Sequence, residues 1–237
     1  MSVQISLRYH GLRLQELEPT SDYLARKEEE KELERAERER MREEAKVHAE
    51  MERERKRLKK ERAHYENDLA RLDDTGDEEA VARLRSQLED VDRAIEDVDY
   101  RAANIRAGSV YVISNVGSFG DHVVKIGLTR RLDPGERVRE LGDASVPFRY
   151  DVHALYFSKD AVTLEQKLHE RFAEQRINRV NARREFFRVT AAEVKQAMQE
   201  LAGDLLEFAD VPEALEYRQS LSLVGRASSE TAEPVIG

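Results

Sequence analysis

The chain has 237 residues and a formal net charge of −9, with 38% charged and only 6% aromatic residues. Because apolar side chains are this sparse, the sequence excludes one compact domain over the whole chain, and part of it is expected to be elongated. Cysteine is absent, which excludes disulfides and thiolate metal ligands and fits a reducing compartment.

The first segment, residues 1–20, shows a short alternation of apolar and polar side chains. The apolar positions are Val3, Ile5, Leu7 and Tyr9, followed after His10-Gly11 by Leu12 and Leu14. Alternation of this kind around a glycine predicts a short β-hairpin-like segment. A two-stranded hairpin is marginal alone, so it either packs against another part of the chain or corresponds to the edge of a domain in a longer relative.

The second segment, residues 21–107, is rich in helix formers with opposite charges three and four positions apart, which favours long helices. Ser21 suits the N-cap of a first helix, and an Asp-Asp-Thr-Gly-Asp run at 73–77 interrupts the pattern. Apolar residues then recur at coiled-coil spacing from Leu84 to Ala102 and Ile105. We therefore expect an antiparallel coiled-coil hairpin. Its second helix is too short to cover residues 22–44, which form either a free charged rod or a dimerisation arm.

The third segment, residues 108–203, reads as a small α/β domain that begins where Gly108 ends the second helix. Its β-branched and aromatic runs predict strands over residues 110–114, 123–128 and 152–157. Helices are predicted over 134–141, 161–175 and 191–201, the last opened by a capping box of Thr190 and Glu193. Residues 204–237 are predicted to hold a C-terminal helix and, from residue 225, a disordered tail.

Five features of this third segment occur in a characteristic order. They are Tyr111 on the first strand, Lys125-Ile126-Gly127 at the second, Arg137 on the next helix, Glu165 opening Glu-Gln-Lys-Leu-His169, and Arg183-Arg184-Glu185-Phe186-Phe187. The set resembles the GIY-YIG nuclease superfamily, with Ser109-Val110-Tyr111 at its first motif and Lys125-Ile126-Gly127 at its second. It is most similar to the phage-type branch, in which the second motif starts with lysine and the domain closes with Glu-Phe-Phe. The resemblance covers about residues 108–190, and the preceding hairpin resembles the coiled coil that fronts some bacterial members.

The resemblance implies an α+β fold, with a three-stranded antiparallel sheet flanked by helices after the helical hairpin, and phosphodiester cleavage with one divalent metal. Glu165 is the expected ligand of Mg²⁺ (or Mn²⁺). A single carboxylate is enough because the bound ion keeps most of its water ligands. Arg137 has the fork geometry to bind the scissile phosphate. Tyr111 is the first choice to orient or deprotonate the attacking water, provided its pKa falls well below about 10.

Several roles stay open at this stage. Lys125 stands where most of the superfamily has a tyrosine, and a protonated lysine suits phosphate binding better than proton abstraction. The base is therefore Tyr111, His169 or a hydroxide carried by the metal. His169 shares a helical face with Glu165 and is either a second ligand or a packed side chain.

Basic side chains near the motifs are the expected nucleic-acid contacts, namely Arg130, Arg131, Arg183 and Arg184. Glu185 has the alternative of pairing with one of the last two arginines. His153, in the middle of a strand, is expected to be structural, and Phe186 and Phe187 are expected in the core. Residues 108–203 carry 15 Lys and Arg against 13 Asp and Glu, a balance of +2, so the acidic excess lies elsewhere.

These observations predict a metal-dependent DNA endonuclease domain on a helical hairpin that mediates homodimer formation or attachment to a partner. One alternative is an inactive GIY-YIG-like module that binds nucleic acid or protein, and another is a coiled coil that is itself the main functional part. DNA and RNA are not distinguished. No apolar run reaches the roughly 18 to 20 residues of a membrane span, so we expect a cytoplasmic protein.

Overall fold

The structure is a computed structural model that describes residues 7–72, 77–143, 146–203 and 207–230. The chain divides into two compact units, Met1–Ala49 and Glu50–Gly237. The expected α+β class is confirmed, because two long helices precede a small antiparallel sheet flanked by helices. The sheet has four strands in place of the predicted three.

The first helix, α1, spans Leu7–Leu72 and starts well before the predicted Ser21. The predicted β-hairpin is therefore wrong over residues 7–20, and residues 1–6 lie outside the described residues. The physical reason is composition, because leucine, arginine, glutamine and glutamate favour helix more strongly than a short alternation favours strand. Six large apolar side chains of the first unit are exposed, namely Tyr9, Leu12, Tyr23, Leu24, Leu33 and Met41, whereas Val47 near its end is buried.

The helical hairpin consists of the second half of α1 and of α2, which spans Glu78–Ala103. Arg55 pairs with Asp99 at 3.0 Å and Arg62 pairs with Asp92 at 3.0 Å, so residue numbers rise along one helix as they fall along the other. The helices are thus antiparallel, as predicted. Buried apolar residues line their seam, including Met51, Leu58, Val91 and Val98.

The predicted seam extends too far at its C-terminal end. Helix α2 ends at Ala103 with Asn104 as its C-cap, so residues after Ala103 are not helical and cannot continue the coiled-coil seam. Ile105 is 71% exposed, and Ala102 is exposed as well. The final two positions of the predicted seam are therefore wrong.

The sheet has the order β3-β1-β2-β4 with all neighbours antiparallel. Its strands are β1 (Gly108–Ser114), β2 (Val124–Thr129), β3 (Asp151–Ser158) and β4 (Phe186–Phe187). β4 pairs with β2 through only two residues, which is too short to produce a periodic signal in the sequence. Between β1 and β2 lies a four-residue helix, α3 (Val116–Phe119), in the segment that separates the first two predicted strands.

Helices cover the two faces of the sheet unequally. Helices α5 (Ala161–Arg171) and α6 (Ala191–Ala202) bury one face against the main core, which includes Val110, Val112, Val124, Ile126, Leu168, Phe187 and Met198. The capping box of Thr190 and Glu193 opens α6 as predicted. A smaller cluster on the opposite face joins Tyr111 and Ile113 to Val138 of α4 (Pro134–Asp143). This second face carries Tyr111 and Lys125, whereas Glu165 and His169 of the site described below come from α5 on the first face.

The last helix, α7, spans Leu215–Glu230. The disorder predicted from residue 225 is therefore wrong as far as residue 230, because polar Ser and Glu are compatible with helix, and residues 231–237 lie outside the described residues. His153 is buried as expected, with Nδ1 2.6 Å from the Ala209 carbonyl and Nε2 2.8 Å from the Ser114 hydroxyl. None of the helices described is long and apolar enough to cross a bilayer.

The hairpin seam provides a first test of this fold. Leu58 on α1 is 4% exposed, and Leu33 on the same helix is 48% exposed. Leu58→Ala should lower the free energy of unfolding by about 2 to 4 kcal/mol, because it leaves a cavity, whereas Leu33→Ala should change it by less than about 0.5 kcal/mol. Urea unfolding followed by circular dichroism measures both, and equal effects would contradict the assigned seam.

Candidate functional site

Tyr111 and Gly127 face each other across strands β1 and β2. A Cβ atom on Gly127 would lie 2.4 Å from the Tyr111 hydroxyl oxygen, so the phenol ring crosses directly over this residue. Any side chain at position 127 would displace the ring. Tyr111 itself is 3% exposed and packs on Ile113 and Val138, so its ring has a fixed position on the sheet.

Lys125 extends from the same face of β2 and pairs with Glu185. Its Nζ atom lies 2.7 Å from a Glu185 carboxylate oxygen, and the two side chains are 11% and 27% exposed. The same ammonium lies 5.9 Å from the centre of the Tyr111 ring and 5.4 Å from that of Phe186. Glu185, directly before β4, thus pairs with Lys125 on the neighbouring strand β2. The suggested pairing with a neighbouring arginine is not needed to explain the position of Glu185. Phe186 is only partly buried, whereas Phe187 is fully buried in the core.

Glu165 and His169 lie one turn apart on α5 and meet Glu185 at the end of the loop before β4. One ligand atom from each of the three residues lies within 4.8 Å of the others. His169 Nε2 lies 3.0 Å from the Ile126 carbonyl oxygen. A carbonyl only accepts hydrogen bonds, so Nε2 carries the hydrogen and Nδ1 of a neutral ring carries the lone pair. This is the arrangement that a metal-ligating histidine adopts.

The protonation of these groups follows from their burial. Burial raises the pKa of Glu165 to about 7, and the neighbouring Glu185 carboxylate adds to the shift while Lys125 opposes it. Burial lowers the pKa of His169, although its bond to the Ile126 carbonyl and the charge of Glu185 act in the other direction. At neutral pH the imidazole is therefore neutral, and the Glu165 carboxyl is close to its titration midpoint.

The donor set fits a divalent cation. Two carboxylates and one imidazole nitrogen with a fixed tautomer converge on one point, and the negative charges of Glu165 and Glu185 repel each other without a cation between them. Mg²⁺ prefers oxygen ligands, whereas Mn²⁺ accepts an imidazole nitrogen more readily. Glu165, predicted as the metal ligand, thus gains two further candidate ligands in His169 and Glu185.

Arg137 lies on α4, the helix that packs on the Tyr111 face of the sheet. The adjacent Val138 packs on Tyr111, and the Arg137 guanidinium lies 3.9 Å from a Glu140 carboxylate oxygen with 24% of its side chain exposed. The structure therefore brings Lys125, Glu165 and His169 together around Glu185, with Tyr111 beside Lys125 and Arg137 on the helix that packs against Tyr111.

Of the four arginines predicted to contact nucleic acid, Arg131 is contradicted. Its side chain is 5% exposed and is held by Glu140 at 2.9 Å and Glu136 at 3.7 Å, so it stabilises the start of α4 and is not free for phosphate. Arg130 lies 3.4 Å from the Arg101 carbonyl at the end of α2. Arg183 and Arg184 are exposed in the loop before β4. These last two stay predictions.

Sequence reasoning missed two contributors to the site. For Glu185 the sequence suggests only a pairing with a neighbouring arginine, because the pairing with Lys125 depends on the β2–β4 contact, which leaves no sequence signal. Arg176 is the second contributor. Its guanidinium lies 4.8 Å from the centre of the Phe187 ring and contributes to lowering the pKa of His169. No periodic signal marks the loop that carries it.

The raised pKa of Glu165 predicts an inverse dependence of stability on pH. A carboxyl whose pKa is about 7 when folded and about 4.5 when unfolded makes the folded state less stable as pH rises through this interval. Glu165→Gln removes the penalty. We therefore expect the variant to gain about 1 to 3 kcal/mol relative to wild type between pH 5 and pH 8, measured by urea unfolding at both values.

Asp160, the N-cap of the same helix, is the matched control. A hydrogen bond from Arg106 lowers its pKa, so its charge stabilises the folded state at neutral pH and this stability is lost as pH falls through the lowered pKa. Asp160→Asn should therefore lose stability at pH 8 relative to wild type, the opposite sign. Two variants with the same sign would contradict the assigned environments.

Comparison with known proteins identifies a similarity in the sheet-containing part of the chain. Residues 108–202 match the family model described as the T5orf172 domain. The match begins at the first residue of β1 and ends at the last residue of α6, so it contains the whole sheet and every residue of the site described above. No curated protein and no solved structure gives a match.

Proposed function

We propose that residues 108–203 form a metal-dependent nuclease that hydrolyses phosphodiester bonds in DNA through a GIY-YIG-like active site. The observation that carries the proposal is the convergence of Glu165, His169 and Glu185 beside Lys125 and Tyr111. The similarity to the T5orf172 domain, which is related to nuclease folds, supports the same reading. A clustered set of perturbed titratable groups is what a catalytic site requires.

Each group has a role in this proposal. A Mg²⁺ or Mn²⁺ ion held by Glu165, with Glu185 and His169 as further ligands, would supply positive charge at the scissile phosphate. Arg137 would bind the non-bridging phosphate oxygens and stabilise the charge that develops on them. Lys125 balances the charge of Glu185 and presents an ammonium group beside Tyr111. The exposed Arg183 and Arg184 would hold the strand through its phosphates.

The reaction is hydrolysis of one phosphorus–oxygen bond. A water oxygen bonds to phosphorus, the bond to the leaving sugar oxygen breaks, and the proton of the water passes to a base. Tyr111 and His169 are the two side chains proposed for the base, and His169 serves only if its Nδ1 is not used as a ligand. The Tyr111 hydroxyl is held over Gly127, with the Lys125 ammonium near its ring.

A second function is favoured by one specific observation. The Lys125–Glu185 ion pair neutralises one of the carboxylates that a cation would use. A chain in which this pair persists would bind nucleic acid or protein without cutting. DNA is the ligand proposed for the cleaving site.

Whichever function holds, we propose that exposed apolar side chains of the first unit mediate a homodimer. These are Tyr23, Leu24, Leu33 and Met41. Light scattering over a range of concentrations tests the dimer, and a monomer at every concentration would contradict it.

Cleavage is the direct test of the leading proposal. Plasmid incubated with the full chain and Mg²⁺ or Mn²⁺ should be nicked, and Glu165→Ala or Arg137→Ala should each reduce the rate by about 100-fold or more. Glu170→Ala on α5 and Arg139→Ala on α4 are the matched controls, because both side chains are exposed on the same two helices. Wild-type protein that binds DNA in every metal and never cuts it would support the non-cleaving alternative.

Metal binding provides a separate test that does not depend on cleavage. Because Glu165 must lose its proton to bind a cation and its pKa is about 7, Mn²⁺ affinity should rise by about 5- to 10-fold between pH 6 and pH 8. Isothermal titration calorimetry measures this rise. Glu165→Gln and Glu185→Gln should each weaken binding by about 10-fold or more, and an affinity that neither variant changes would remove this cluster as the metal site.

A further inference from the structure

Phe119 projects an aromatic ring into solvent next to the candidate site. It is the last residue of α3, between β1 and β2, and it is 40% exposed. Exposure of a phenylalanine ring to water is unfavourable, and burying the ring in the domain core would remove this cost. Neither the cluster of Glu165, His169 and Glu185 nor the sheet core uses this ring.

The short helix that carries Phe119 is held rigidly. The side chain of Asn115, which is 1% exposed, accepts a hydrogen bond from Ser118 N at 3.1 Å and donates one to the Phe148 carbonyl at 2.6 Å. A Cβ on Gly117 would lie 2.4 Å from a Phe148 ring carbon, so the backbone packs against that ring. The position of Phe119 is therefore built into the loop.

A row of aromatic rings connects Phe119 to the site. The Phe119 ring centre lies 4.9 Å from that of Phe186 and 6.4 Å from that of Tyr150. Phe186 lies 5.4 Å from Lys125 Nζ, and the same ammonium lies 5.9 Å from Tyr111. A single ring thus separates Phe119 from the cation nearest to the cluster of Glu165, His169 and Glu185. Aromatic rings interleaved with a cation are the features that bind unpaired nucleotides.

We propose that Phe119 is a stacking platform for an unpaired base about one or two nucleotides from the scissile phosphate, so that the site takes single-stranded or locally unpaired nucleic acid in preference to duplex. This inference rests on the proposed nuclease function. The exposed face of the ring can stack on a base only when that base has left its own helical stack. Lys125, at the other end of the row of rings, would then face a phosphate of the bound nucleic acid.

The charge of the chain favours this ligand over a duplex. Residues 108–203 have a balance of only +2, from 15 Lys and Arg against 13 Asp and Glu, and the whole chain carries −9. Duplex DNA is bound mainly by neutralising many phosphates, which this balance does not provide. Stacking on an aromatic ring adds affinity without requiring further positive charge.

The test measures binding in a background that should not cut. Fluorescence anisotropy of labelled oligonucleotides, in the Glu165→Gln chain, compares a single strand, a blunt duplex and a duplex with a single-stranded end. We expect tighter binding of the two substrates with unpaired bases. Adding Phe119→Leu, which keeps an apolar side chain against Phe186, should weaken single-strand binding by about 5- to 100-fold and leave duplex binding unchanged.

Two further variants control for folding and for general loss of an exposed ring. Phe119→Tyr keeps the aromatic face and should bind single strands like the parent. Tyr100→Leu removes a ring that is equally exposed, at 40%, on α2 and should have no effect. The slope of log affinity against log salt should be the same with and without Phe119→Leu, because a stacking contact releases no counterions from phosphate.

The possible results separate this inference from the proposed nuclease. Equal affinity for single strand and duplex, or a Phe119→Leu chain that binds single strands as well as its parent, overturns the stacking role even if plasmid is nicked. Selective loss of single-strand binding supports the stacking role even if the wild type never cuts. If Phe119→Leu abolishes capture of a protein and leaves every oligonucleotide affinity unchanged, the surface binds protein and the inference is wrong.

Discussion

The repulsion between two partly buried carboxylates, Glu165 and Glu185, is the interaction on which the proposed metal site depends. Burial and the neighbouring charge together raise the pKa of Glu165 to about 7, and the single ammonium of Lys125 offsets only part of this. A fold selected for stability alone would replace one acid with a neutral side chain, because an uncompensated buried charge is costly. The arrangement is explained if a cation supplies the missing positive charge.

The rest of the domain holds these groups in place. Strand β1 is buried along its whole length, β2 carries Lys125 and Gly127, and the two-residue β4 fixes the main chain directly after Glu185. Helix α5 buries Leu164 and Leu168 in the core and thereby directs Glu165 and His169 toward the edge of β2. The absence of a side chain at Gly127 leaves space for the Tyr111 ring. Substitutions in this scaffold would change the site without touching its charged groups.

The sequence revealed the strongly patterned elements and missed those defined by contacts. The hairpin helices, three of the strands and the capping box of Thr190 and Glu193 follow from periodicity and local chemistry, and the structure agrees with them. The β-hairpin predicted over residues 1–20 is wrong over residues 7–20, because helix propensity outweighs a short alternation of apolar and polar residues. The role of Glu185 could not be predicted, since it depends on a strand of two residues and on a partner 60 positions away. The prediction for Arg131 is wrong because its burial and its ion pairs with Glu136 and Glu140 form only in the folded chain.

Diffraction from crystals soaked in Mn²⁺, measured at the manganese absorption edge, will show whether Glu165, Glu185 and His169 Nδ1 bind one divalent cation. We expect an anomalous peak within about 2.0 to 2.4 Å of both carboxylates and the imidazole nitrogen, with Lys125 shifted from Glu185. Strong manganese peaks elsewhere, with the Lys125–Glu185 pair intact and no density between the three residues, would contradict it.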